Sequence, residues 1–318
     1  MAFAELALAA WALEIAFGWP GWLFDRVRHP VVWIGAAVDA LDARCNDARF
    51  RAPARRALGA LSTALVVGAT AALAALVSHA LPPGPAGTAL EALLGSSLLA
   101  SRSLHEHVRA VARALSADGP EQARAAVAHV VGRDPAALDR AGVARAALES
   151  LAENASDAVV APLFWCTLLG LPGLAAYKAI NTLDSMIGHR TERHRDFGRF
   201  AARLDDAANL VPARLCALAF ALAGGARVRW AAVRREARAH RSPNAGWPES
   251  AAARTLGVRL SGPRRYGCGT AREPWLNPEA PDPTGRDVLR GLALYRRALA
   301  LVALTLAALA ALAALPGA

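Results

Sequence analysis

Long windows with almost no charge recur along this chain, at residues 2–17, 57–81, 87–101, 158–177, 207–226 and 298–315, and they restrict its fold more than any other feature. A helix needs about 20 predominantly apolar residues to cross a hydrocarbon core of about 30 Å, where it must pair its own backbone N–H and C=O groups. The windows 57–81 and 298–315 meet that requirement most securely. No segment sustains the two-residue alternation of a half-buried strand, so the remaining periodicity reads as helical. The expected fold class is all-α: a polytopic integral membrane protein with cytoplasmic helical segments and re-entrant helices. The first window has no basic region before it and contains Glu5 and Glu14, which points to a retained span or half-span rather than a cleaved signal peptide.

The net charge is +10, and the basic residues cluster between the apolar windows, where the positive-inside tendency places them on the cytoplasmic face. Such a surface suits anionic small molecules. Aromatic residues are only 6% of the chain and do not interleave with the basic ones, so nucleic acid is not an expected partner. Cys45, Cys166, Cys216 and Cys268 lie far apart, with neither a zinc-site spacing nor a disulfide frame. Among 36 Lys and Arg residues the single lysine is Lys178. In a chain that otherwise uses arginine, it marks a position suited to a compact ammonium rather than a planar guanidinium.

Composition divides the chain into N-terminal membrane helices (1–101), a cytoplasmic helical segment (102–157), a membrane-embedded, re-entrant core carrying polar motifs (158–226), a cytoplasmic basic helix with a Pro/Gly-rich loop (227–297) and a C-terminal membrane helix (298–318). The uncharged "LPPGPAGT" at 81–88 reads as a short non-cytoplasmic turn. Asp118 or Gly119 is placed to cap a helix that opens at Pro120. If 158–177 and 207–226 both crossed fully, the basic stretch at 189–206 would lie outside, against the charge rule. Fold-backs at "GLPG" (170–173) and "AGGA" (223–226) keep it on the cytoplasmic side, and broken helices at membrane depth are tolerated where they line a protein cavity.

Four polar motifs interrupt the apolar background. In "ESLAENASDAVVAPLFW" (149–165), Glu149, Glu153 and Asp157 fall within an arc of roughly 80° on an ideal helix, with Ser150 nearby. Three acids on one face repel, and a divalent cation such as Mg²⁺ would compensate them; an exposed acidic stripe is the alternative. In "YKAINTLDSMIGHR" (177–190), Lys178, Asn181, Ser185 and His189 share one stripe and Asp184 lies beside it, a plausible phosphate cradle if Lys178 is not simply snorkelling. In "FAARLDDAANLVPARL" (200–215), Asp205, Asp206 and Asn209 group together; Pro212 limits a helix start to this neighbourhood, and N-capping by Asp206 or Asn209 accounts for one of them. In "EARAHRSPNAGWPESAAA" (236–253), His240, Ser242 and Asn244 precede a Pro248 suited to a helix start, although Ser-Pro-Asn is also ordinary turn chemistry. The pair of histidines in "HEH" (105–107) reads as solvated helix. No P-loop, GxGxxG, GxSxG or HExxH is present in the sequence.

These motifs, in this order, resemble the adenosylcobinamide-phosphate synthase family of cobalamin biosynthesis, the CobD/CbiB integral membrane proteins. The resemblance rests on "HPVVWIG" (29–35), on residues 149–165, on the long block 177–215 and on residues 240–267. Near the N-terminus this chain has Glu14 and "GWP" (18–20) where the family usually has an Asp and a "GDP"-like turn. The resemblance implies an ATP-dependent amide ligase of the cytoplasmic (inner) membrane with its active site facing the cytoplasm. It would join aminopropanol phosphate, or a similar amino-alcohol phosphate, to the propionate carboxylate of adenosylcobyric acid.

ATP would convert the carboxylate oxygen into a leaving group, through an acyl phosphate, with Mg²⁺ on two or more of Glu149, Glu153, Asp157, Asp184, Asp205 and Asp206. Lys178, His189 and Arg190 would hold phosphate oxygens, with Asn181, Ser185, Ser242 and Asn244 completing the nucleotide contacts. His189 or His240 would take the ammonium proton. The expected surroundings are the lipid bilayer, with room for a homo-oligomer or for contact with other corrinoid-pathway enzymes. Two readings compete: an intramembrane Mg²⁺-dependent transferase acting on diphosphate or CDP-alcohol substrates, and a non-enzymatic membrane transporter or sensor.

Overall fold

The computed structural model describes residues 3–117, 119–129, 138–226, 228–266, 269–271 and 273–315; Asp118 and Cys268 lie outside the described residues. In chain order the helices are α1 (Ala4–Phe17), α2 (Gly21–Val27), α3 (Pro30–Cys45), α4 (Ala52–Ala80), α5 (Pro85–Ser96), α6 (Ser101–Ser116) and α7 (Pro120–Ala128). They continue as α8 (Arg140–Ala155), α9 (Ala161–Ile187), α10 (Arg199–Ala208), α11 (Leu210–Ala223), α12 (Trp230–Ala239), α13 (Gly246–Leu256) and α14 (Gly285–Ala313). A π-helical turn, Ser156–Val160, joins α8 to α9. The strands among the described residues are short: β1 (Leu260–Ser261) pairs antiparallel with β4 (Trp275–Leu276), and β2 (Arg264–Tyr266) with β3 (Gly269–Ala271). The fold is all-α, as the periodicity predicts.

Among the described residues three helical stretches are long and apolar enough to cross a membrane: Ala52–Ala80, Arg140–Ile187 and Gly285–Ala313. Along α4 the outward side chains are large and bare, with Leu61 67% and Leu76 68% exposed, as a lipid-facing surface requires. The other apolar windows are shorter helices. The 14 residues of α1 rise only about 21 Å, and the chain bends by 108° directly after them, so the first window is a half-span in length. Its backbone breaks at Gly18, whose φ of 60° suits glycine. α11 also has 14 residues and ends at Ala223, at the start of the predicted "AGGA" break. Within α9 the helix is interrupted at Gly170 (φ 67°, ψ −155°), where "GLPG" predicts a break and where Pro172 follows without an N–H. Pro30, Pro85 and Pro120 stand in the opening turns of α3, α5 and α7, and Gly119 is the residue before α7.

The chain forms two compact units, neither continuous in sequence. The first comprises Met1–Ala100, Ala161–Asn209 and Leu306–Ala318. In it α9 packs against α1, α3, α4, α5 and α10. Its core joins Ile34 and Val38 of α3, Val66 of α4, Leu183 and Ile187 of α9, and Phe197. α4 approaches so closely that a Cβ on Gly59 would stand 1.9 Å from the Phe197 carbonyl oxygen.

The second unit comprises Ser101–Val160 and Leu210–Thr305. On α6, Leu104, Val108, Val111 and Leu115 form a buried stripe at helical spacing, packed against α7 and α8. α13 packs on α8, α11 and α12, and the Tyr295 hydroxyl donates to the Ser101 carbonyl at 3.1 Å. Of residues 158–226, Ala161–Asn209 belong to the first unit and the rest to the second.

Candidate functional site

In the first unit, Lys178, Asn181 and Ser185 of α9 face a cleft of about 390 Å³ whose opposite wall is Val31, Val32 and Gly35 from the first turns of α3. The sequence positions that wall locally. Pro30 stands in the opening turn of α3, and the His29 imidazole caps the helix, its Nδ1 accepting from Val31 N–H at 3.2 Å. Trp19 packs edge-on against His29, with ring centroids 5.0 Å apart. Burial, and secondarily the Lys178 ammonium, lower the His29 pKa, which favours the neutral ring that the cap requires. The predicted stripe therefore lines a cavity, but its hydroxyl is already engaged. Ser185 Oγ donates to the Asn181 carbonyl at 2.8 Å and offers the cleft lone pairs rather than a proton.

Beside this stripe lies a buried acid. Asp205 of α10 accepts from Asn209 Nδ2 at 3.0 Å, and Asn209 Oδ1 in turn accepts from the Tyr177 hydroxyl at 2.9 Å. The second oxygen of Asp205, Oδ1, is buried with no hydrogen-bond partner. Burial, followed by the neighbouring Asp184 carboxylate, pushes the Asp205 carboxyl up to about 7, while Asn209 and Asn181 oppose the rise. Asp206 is also raised by burial, against the pull of Arg190. Asn209 stands between two helices: it closes the C-terminus of α10, where its side chain holds Asp205, and it immediately precedes α11, which opens at Leu210 with Pro212 in its first turn.

His189 does not extend the α9 stripe. The helix ends at Ile187, leaving His189 and Arg190 exposed in the following turn. The rest of that turn is pinned to α3 and α4. Arg193 Nε donates to Asp42 at 2.9 Å, Asn46 bridges Asp42 and the Arg193 carbonyl at 2.7 and 3.1 Å, and Arg56 pairs with Asp196 at 2.7 Å. Arg193 and Asp196 of "HRTERHRDFG" thus hold the loop itself. Gly198 ends it where a Cβ would stand 1.6 Å from the Ile187 carbonyl oxygen.

In the second unit the three acids of the first motif are separated in role. Glu149 is buried and its Oε1 accepts from the Ser261 N–H at 2.7 Å, anchoring β1. Glu153 stays on α8, half-buried, whereas Asp157 lies in the π turn, whose wider spacing takes it off the 3.6-residue stripe that an ideal helix predicts. Asn154 engages Ser150 through its backbone carbonyl and its hydroxyl.

The fourth motif forms the loop between α12 and α13. His240 Nδ1 accepts from Ser242 N–H at 3.2 Å, and Ser242 Oγ accepts from Asn244 and Ala245 N–H at 3.3 and 3.1 Å, a turn that leads into α13 with Pro248 in its first turn. His240 Nε2 faces the Glu249 carboxylate at 3.7 Å, both side chains being buried. Arg214 donates to Asn244 Oδ1 at 3.1 Å and lies over the Trp247 ring at 4.7 Å. His240 and Trp247 wall a cleft of about 690 Å³ together with Arg214, Arg234, Arg238 and Arg241. Among the described residues, no three His, Cys, Asp or Glu side chains gather to hold a metal ion by themselves.

The model of the CobD/Cbib protein family matches residues 7–295. The chain belongs to that family. The cobalamin biosynthesis protein CobD of Rhodobacter capsulatus is 54% identical over 301 residues, covering 94% of this chain and 95% of its own. The protein of that name from Brucella suis is 46% identical over 299 residues, with 91% of each chain covered. That from Rhizobium meliloti is 43% identical over 280 residues, with 86% of each covered. No solved structure matches. All four polar motifs lie inside the family match, and the chain's role is accordingly in cobalamin biosynthesis.

Within this CobD/Cbib chain, sequence reasoning missed Tyr177, Glu249 and the arginines of the second cleft. Tyr177 reads as core until Asn209 meets it. The basic face of α12 is visible in sequence, but Arg214 joins it only through folding.

Proposed function

We propose that this chain is an ATP-dependent amide ligase of the cytoplasmic (inner) membrane. It joins the amine of aminopropanol phosphate, or a similar amino-alcohol phosphate, to the free propionate carboxylate of adenosylcobyric acid, giving adenosylcobinamide phosphate on the cytoplasmic side. The observation that carries the reading is the cleft in which Lys178 and Asn181 of α9 face the "HPVVWIG" turn, in a chain of the CobD/Cbib family.

A divalent cation fits this unit. Asp205 keeps a buried oxygen without a hydrogen-bond partner, and burial and the neighbouring acids disfavour its charge, a penalty that a cation relieves. Mg²⁺ commonly takes one or two carboxylates and completes its shell with phosphate oxygens and water, which suits a place where no three protein ligands gather. Asp205 with one of its neighbours, Asp184 or Asp206, would hold it, and when bound it would neutralise phosphate charge. Asn209 and Tyr177 orient the Asp205 carboxylate. Lys178 presents its ammonium to phosphate oxygens in the cleft, with Asn181 beside it.

In the overall reaction the terminal P–O bond of ATP breaks with ADP as leaving group, the phosphoryl group joins the propionate oxygen, the C–O bond then breaks with that oxygen leaving as phosphate, the C–N bond forms and the ammonium gives up two of its three protons. His189, exposed at the end of α9, is the proton acceptor in this reading. His240 has Nδ1 on the Ser242 turn and Nε2 toward Glu249, so it serves to shape its own loop.

The test is to incubate the purified, membrane-reconstituted protein with adenosylcobyric acid, aminopropanol phosphate, ATP and Mg²⁺ and to weigh the corrinoid. The expected product is heavier by aminopropanol phosphate less one water, and forms only with ATP. Product formation without ATP consumption would replace the ligase by a transferase. Near wild-type rates in both Lys178→Ala and Asp184→Ala would overturn the site.

A further inference from the structure

We propose that the arginine-lined cleft of the second unit binds a phosphate monoester directly, without a metal ion. Its walls carry Arg214, Arg234, Arg238 and Arg241 with His240, and among the described residues no carboxylate lines it. Arg234 and Arg238 stand four residues apart on α12, where like charges repel. Among the described residues neither has a carboxylate partner, so the fold tolerates a concentration of positive charge that an anion would relieve. Arg214 is already positioned, donating to the Leu210 and Asn244 oxygens at 2.6 and 3.1 Å and stacked on Trp247. A guanidinium held in this way loses little freedom when its remaining N–H groups meet phosphate oxygens. Arg241 also reaches Glu273, at 4.0 Å, and so stands at the cleft as a partly compensated cation.

The contrast with the first unit gives this cleft its ligand class. The α9 cleft has a single lysine, and Asn181 on its wall also interacts with the buried Asp205 carboxyl, so it suits a phosphate that arrives with a divalent cation. The α12 cleft has several arginines and, among the described residues, no lining acid, and suits a bare phosphate dianion. The naming of that dianion as the amino-alcohol phosphate rests on the ligase reading; the phosphate site itself does not. A lipid headgroup could supply the same chemistry.

The test uses full-length protein in neutral detergent with EDTA, titrated with aminopropanol phosphate, inorganic phosphate and phosphate-free aminopropanol. Wild type is expected to bind the first two and not the third. Arg234→Gln/Arg238→Gln should weaken phosphate binding at least tenfold, the lysine pair should restore part of it, and Arg235→Gln, which removes a charge from α12 outside the cleft, should change it less than twofold. Thermal melts confirm that each variant is folded.

Equal binding of phosphate-bearing and phosphate-free ligands, loss of wild-type binding in EDTA, or an equal effect of Arg235→Gln would overturn the proposal. In phosphatidylglycerol nanodiscs, competition that is absent in phosphatidylcholine nanodiscs assigns the phosphate to lipid headgroups, and its absence assigns it to the soluble ester. A wild type that binds phosphate in EDTA yet forms no amide would sink the ligase reading and leave this site standing.

Discussion

Glu149 offers a direct test of whether a motif acid serves the metal or the fold. In the structure its Oε1 accepts the buried Ser261 N–H at 2.7 Å, and Ser261 sits at a φ of 60°, a left-handed conformation costing a non-glycine residue about 1–2 kcal/mol. The carboxylate helps hold that turn. Glu149→Ala removes the acceptor and leaves the N–H unsatisfied, at about 1–3 kcal/mol, and the truncated side chain leaves a void that adds to this. The expected total is about 2–4 kcal/mol, or roughly 5–10 °C in melting temperature. Glu149→Gln keeps a carbonyl acceptor and loses only the charge assistance, about 1 kcal/mol. Thermal unfolding in detergent, hydrogen exchange of the peptide containing Ser261, and the amide-forming rate together decide the matter. The expected pattern is faster exchange and lower stability in the alanine variant, with the glutamine variant close to wild type in exchange and in Mg²⁺ requirement. A glutamine variant with normal melting and exchange but a rate reduced a hundredfold, recovered only at high Mg²⁺, would refute the anchoring role and make Glu149 a metal ligand.

Three further outcomes are expected. Gly59→Ala would place a Cβ 1.9 Å from the Phe197 carbonyl oxygen, so α4 or the loop after α9 must shift, with a loss of about 1–3 kcal/mol seen as a lower unfolding temperature; an unchanged melt would contradict the packing. His29 has a folded pKa below 6.5, so the unfolded chain takes up the proton first. Stability is then full above pH 6.5 and declines as pH falls from there toward the folded pKa; His29→Asn, which retains a capping acceptor, should flatten that part of the stability curve. Asp205→Asn should abolish the rise in melting temperature that Mg²⁺ produces in wild type and EDTA reverses, and a variant that still responds to Mg²⁺ would move the cation elsewhere.

Much of the architecture was legible because it follows from local rules. The windows at 57–81 and 298–315 are the long apolar helices α4 and α14, since lipid leaves helix as the way to satisfy the backbone. Gly170 and Pro172 break α9 where a residue of positive φ and one without an N–H stand close together. The polar stripe Lys178–Asn181–Ser185 keeps its 3.6-residue spacing and lines a cavity. The same extrapolation failed one turn later, at His189, because contacts of the next loop with α3 and α4 end the helix at Ile187. It failed again at Asp157, where a π turn changes the spacing.

What sequence by itself determined is therefore the helical class, the apolar stretches, the breaks at Gly and Pro, and the family to which the motifs point. The first three depend on neighbours within a turn or two of helix, and the family on the order of motifs along the chain. Only the tertiary structure decided which polar groups remain available to a ligand. Arg193 is committed to Asp42 across 151 residues and Glu149 to Ser261 across 112, while Arg214 is brought to the face of α12. Burying a charge or an N–H demands a partner, and that partner is chosen by the packing of distant segments, which periodicity does not encode.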